Sequence, residues 1–162
     1  MDLPDSRGIP LLRHTLATLA YRAAKTLRGA PNGFQHVRAA PATRSAGQIL
    51  AHISDLVEWA RRAADGQMDW RESQPDSWER EVARFFSALK ALDDRLATQV
   101  PLACPPEKLF QGPIGDVLTH VGQLATLRRM AGSPVRGENY FRADIMTGRV
   151  GMEQSPPVEE FD

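Results

Sequence analysis

Cysteine, net charge and long apolar runs are all scarce in this chain, and each scarcity removes a class of protein. One of the 162 residues is cysteine, Cys104, so no internal disulfide can form and a reducing compartment is expected. Cys104 falls in a proline-rich stretch, Pro101-Leu-Ala-Cys104-Pro105-Pro106. With no histidine near it in sequence, it reads as an inert loop thiol rather than a nucleophile. No apolar run approaches the roughly 20 residues of a membrane span. The opening, Met1-Asp-Leu-Pro-Asp5, is acidic where a secretion signal is basic. The expectation is a soluble cytoplasmic protein. Twenty Lys and Arg balance twenty Asp and Glu, leaving none of the positive excess that nucleic acid binding requires. Short runs such as Arg61-Arg62 and Arg128-Arg129 are mixed with acids, as on solvated helix faces.

A hydrophobic fraction of 42% over 162 residues is enough for one core and too little chain for two ordinary domains. Apolar residues recur at helical spacing in four places. Leu12, Leu16, Leu19, Ala23 and Leu27 form a stripe over residues 10–28, stopped by Gly29 and Pro31. Ser45 and Gln48 make a capping box ahead of Ile49, Ile53, Leu56 and Ala60, and Gly66 ends that segment. A third helix starts near Asp76 and Glu79, carries Val82, Phe85, Phe86, Leu89, Leu92 and Leu96, and closes before Pro101. A fourth is expected to start at Gly112-Pro113, to turn Val117, Val121, Leu124 and Ala125 inward and to end at Gly132. With no useful period-two segment, these stripes can bury only against one another. The expectation is an all-α four-helix bundle, one domain over residues 1–162 with a core of 10–132. Residues 133–162, rich in Gly, Pro and charge, are expected to wrap it as an irregular tail.

Two histidines fall where solvated residues should not. His52 lies between Ile49, Ile53 and Leu56, and His120 beside Val117, Val121 and Leu124, so both are expected to face inward. Asp116 precedes His120 by four residues, which stacks the two one turn apart on one helix face. A carboxylate and two imidazoles from two helices make a three-ligand metal site with an open position, the arrangement metals use for chemistry. Spacing leaves a second reading open: core histidines satisfied by hydrogen bonds, with Asp116 orienting His120. Gln123, one turn on, is a candidate partner behind the ligands, a candidate substrate-binding residue or a packing residue. His14 reads as a boundary residue and His36 as a solvated loop histidine. Trp59 and Asp55 are candidate pocket residues, Trp59 the more core-like. Asn139 and Tyr140 are expected to dock the tail.

The stretch His120-Val-Gly-Gln123, continuing to Gly132-Ser-Pro134, resembles the His-x-Gly-Gln helix of the DinB-like superfamily. Ile49-Leu-Ala-His52-Ile, after a polar capping segment, resembles the setting of that family's first metal histidine. The resemblance spans about residues 11–134 in the same helix order. It implies a DinB-like bundle in which one divalent transition metal, zinc or nickel ahead of iron or manganese, sits between three histidines. His52 and His120 match the first and last of those ligands. Asp116 stands in the place of the middle one, offering an oxygen at a similar bond length but adding negative charge. The resemblance further implies a thiol-dependent S-transferase, taking a low-molecular-weight thiol and a small electrophile, and a homodimer. Two alternatives stay open: a metal-dependent hydrolase, and a non-enzymatic, stress-related dimeric bundle whose ion staples the second helix to the fourth.

Overall fold

The computed structural model describes residues 6–161. The acidic opening, residues 1–5, lies outside the described residues, as does residue 162. Helix α1 spans Ile9–Leu27, α2 Ala46–Ala63 and α3 Trp78–Ala97. A final helical rod is built from α4, Pro106–Leu109, a π turn, Phe110–Ile114, and α5, Gly115–Met130. The architecture is the all-α bundle that the apolar stripes require.

Helix α1 packs on α3 and α5, and α2 packs on the same two. The order around the bundle is therefore α1, α3, α2, α5. The diagonal α1–α2 connection crosses one end of the bundle, with Gly29 and Gly33 in the left-handed region that glycine adopts without strain. It is pinned by buried Phe34, which stacks edge-on against Trp78 at 5.1 Å. Leu16, Leu19, Leu50, Ile53, Phe85, Leu89, Leu92 and Leu124 form the centre of the core, each full burial contributing about 1.5–3 kcal/mol before entropy is counted. Val82 is only partly buried at its margin. No helix among the described residues is long and apolar enough to cross a membrane.

The start of α2 fixes the placement of His52. Ser45 Oγ accepts from the Gln48 amide at 3.2 Å, and Gln48 Oε1 accepts from the Ser45 amide at 2.9 Å, the reciprocal bonding of the capping box. Ser45→Ala is expected to lower stability by about 1 kcal/mol, measured as a shift of the urea midpoint at unchanged slope.

The fourth helix departs from its expected start. Gly112 and Pro113 do not open it; they lie inside a rod that begins at Pro106, where a proline at the first turn costs no hydrogen bond. Pro113 can donate nothing, and its ring crowds the carbonyl four residues back. The chain accommodates it with a π turn, in which the Gly115 amide reaches the Phe110 carbonyl five residues back. A Cβ at position 115 would lie 3.1 Å from that carbonyl oxygen, so glycine suits the position. The π turn ends two residues before Asp116 and so sets the rotation at which α5 presents it.

Residues 133–161 dock along α1. A two-residue antiparallel pairing of β1, Gly137–Glu138, with β2, Glu160–Phe161, is too short to leave a period-two pattern. Lys25 donates to Glu138 at 2.8 Å and to Glu160 at 2.9 Å, neutralising a Glu138 side chain that is fully buried. Tyr140, in a single 3-10 turn, packs edge-on against Tyr21, and Arg22 lies 3.9 Å over its ring. Asn139 bonds Glu159. Both residues dock the tail, as expected.

Candidate metal centre

Helices α2 and α5 are neighbours, and they bring His52, Asp116 and His120 together. His52 Nε2 lies 3.7 Å from Asp116 Oδ2, and His120 Nε2 lies 3.4 Å from Asp116 Oδ1. One donor atom from each of the three falls within 4.8 Å of the others, the one such cluster among the described residues. Ligands held about 2.1 Å from a tetrahedral ion are about 3.4 Å apart. The carboxylate-to-imidazole separations match that spacing, so the group can hold a metal ion. No fourth His, Cys, Asp or Glu joins it among the described residues.

Neither histidine lies in the core. Their side chains are 16% and 12% exposed, and Asp116 is 47% exposed. The inward-facing stripe of α2 runs through Ile49, Ile53, Val57 and Ala60, and His52 sits on its flank beside half-buried Leu56. The expectation that both histidines face the interior is therefore corrected: they stand at the rim of the α2–α5 contact, where an ion and a small molecule have access.

The ring of His120 is oriented from behind. Its Nδ1 lies 2.8 Å from Gln123 Oε1. An amide oxygen only accepts, so Nδ1 carries the proton and the Nε2 lone pair faces Asp116, the tautomer a metal requires. Gln123 thus takes the supporting position rather than a packing one. The imidazoles of His52 and His120 meet edge-on, centroids 5.0 Å apart, and the Trp70 ring closes on His52 from the other side at 5.9 Å.

Burial is the main force that lowers the pKa of His52, followed by the positive charge of Arg44. A neutral His52 at neutral pH has its lone pair free for a metal. In the metal-free protein His52 is expected to titrate below the ordinary value of about 6.5, which an NMR pH titration of its ring protons measures directly. The sign for stability follows: as pH falls through the ordinary histidine range the unfolded chain takes up the proton first, so stability declines.

The other candidates separate from the site. His14 is exposed and meets Thr147, and His36 is exposed in the α1–α2 loop. Asp55 is buried and accepts from Arg84 at 2.8 Å, which makes it a structural anion. Trp59 is partly buried, donates to the Met68 carbonyl and lines an apolar cavity of about 590 Å³ with Trp70 and Cys104. Burial there raises the pKa of Cys104, as expected of an inert thiol.

Two neighbours of the site carry little signal in sequence. Arg44 precedes the capping box and faces a groove of about 760 Å³ that reaches His120. Trp70 lies in the α2–α3 connection, where an aromatic among polar residues is the one available clue. Compared with protein-family models, with curated proteins and with solved structures, the chain matches none. Fold and site together define a helical bundle with a His-Asp-His cluster that can hold a metal ion.

Proposed function

We propose that the chain is a DinB-like metal-dependent enzyme, a thiol-dependent S-transferase acting on small electrophiles, with zinc or nickel as its metal. The observation that carries this reading is the donor count. Three protein ligands, with no fourth among the described residues, leave a coordination position for an exogenous group, the pattern of catalytic rather than structural sites. A divalent ion held there would deprotonate a coordinated small thiol at neutral pH. His52, Asp116 and His120 hold the ion, Gln123 fixes the His120 tautomer, and the groove beside His120 gives a small molecule room.

The test is transfer of a small thiol to 1-chloro-2,4-dinitrobenzene by zinc- or nickel-loaded protein. The sulfur–carbon bond forms, the carbon–chlorine bond breaks, chloride leaves, and the thiol proton passes to buffer. The expected result is a rate above that of the free metal and of the metal-free protein, lost in His120→Ala. No acceleration with any small thiol would overturn the transferase reading. A rise in melting temperature on loading, without a rate, would favour the bundle whose ion staples α2 to α5.

A further inference from the structure

Most arginines of the described chain have a partner, from Arg13 on Asp93 to Arg149 on Asp144. Arg44 does not: it makes no hydrogen bond or ion pair with the described residues. It is fixed at its Cα by the adjoining cap residue Ser45, it is exposed, and its charge is felt at His52. It lines the groove that reaches His120, and that groove contains no carboxylate. The smaller cavity on its other side, against His52, does include Asp55 and Glu72, yet Asp55 is held by Arg84 and neither carboxylate forms an ion pair with Arg44.

The polar groups of the groove are unequally free. Thr43, Thr119 and Thr126 spend their hydroxyl protons on the carbonyls of Ala40, Asp116 and Gly122. Gln123 turns its oxygen to His120, which leaves its NH2 group without an acceptor in a groove it lines. Two donors without acceptors, one of them cationic, thus share a cleft floored by Ile49 and Leu127. A planar oxyanion on a short apolar stem answers both requirements.

We propose that this groove binds a small organic carboxylate, with Arg44 supplying the charge and the Gln123 amide the second donor, so that the molecule brought to the metal is an anion. This rests on the metal reading above, and Arg44 acts as a specificity residue rather than a catalytic one. The carboxylate belongs either to the thiol or to a thiol-free electrophile.

The experiment compares 3-mercaptopropionate, uncharged 3-mercaptopropanol and propionate on cobalt-loaded protein. The two thiols are read by the thiolate-to-cobalt absorption band, and propionate by displacing them. Wild type is expected to bind the charged thiol at least about tenfold more tightly than the uncharged one, the scale of a charge-assisted hydrogen bond. Arg44→Gln should erase the preference and Arg44→Lys keep part of it, both with unchanged cobalt content. Competition by propionate at a similar concentration would place the carboxylate in the groove independently of sulfur; its failure would assign the carboxylate to the thiol. Equal affinity for the two thiols, or a preference that survives Arg44→Gln, overturns the proposal. Should the protein hold no cobalt, the metal reading fails by itself, and propionate is titrated into metal-free protein by NMR. Shifts of the Gln123 side-chain NH2 that vanish in Arg44→Gln support the groove, and their absence overturns it.

Discussion

His120→Ala is expected to bind zinc at least about a hundredfold more weakly than the natural chain. Loss of even an outer partner of a metal ligand typically costs 10- to 100-fold, and His120 is the candidate ligand that both faces Asp116 and is held in its tautomer by Gln123. A competition titration with a chromophoric chelator measures it. Gln123→Ala should cost about tenfold in the same titration, because His120 remains but its ring is no longer oriented. His14→Ala should change nothing, since His14 lies at the tail contact with Thr147. Equal affinities for wild type and His120→Ala would mean that the ion, if bound, sits elsewhere.

Arg84→Ala is expected to give the largest loss of stability from a polar residue, about 3 kcal/mol. The Arg84 guanidinium donates to Asp55 at 2.8 Å, to Glu81 at 3.0 Å and to the Ala51 carbonyl at 3.0 Å. Asp55 and Glu81 are both nearly fully buried, so removing their shared cation leaves two carboxylates desolvated and unpaired. The same two carboxylates accept the Ser73 and Asp76 amides and so moor the α2–α3 connection that carries Trp70 onto His52. Urea denaturation of Arg84→Ala should show the loss, and Arg84→Lys should recover part of it by restoring charge without the fork geometry. A loss below about 1 kcal/mol would show that these carboxylates find other partners or protonate.

The bundle was legible because each helix obeys rules that act locally. Ser45 and Gln48 cap α2 with their own side chains, and the apolar stripe of α3 needs no knowledge of its partners. Pro113 defeated that logic. A proline preceded by glycine resembles a helix start, and only the packing of Pro106–Leu109 against the rest of the molecule makes it worth carrying the proline inside as a π turn. The site divides along the same line. His52, Asp116 and His120 were visible because spacing along a helix is spacing on a face. Their depth was not: one turn of α2 has both a core-facing Ile53 and a rim-facing His52, and periodicity resolves that difference poorly. Arg44, Trp70 and Arg84 were nearly invisible: the first two depend on what the α1–α2 and α2–α3 connections bring beside the site, and Arg84 on the register of α3 against α2.

The central claim is that His52, Asp116 and His120 converge on one ion, and the elemental content of the purified protein tests it most directly. After incubation with zinc, nickel and manganese and exhaustive dialysis, wild type is expected to retain about one metal per chain, as a three-ligand site with an open position would, while Asp116→Ala and His120→Ala retain little. A wild-type protein that emerges metal-free from every incubation would contradict the account and return the two histidines to rim residues that Asp116 merely orients.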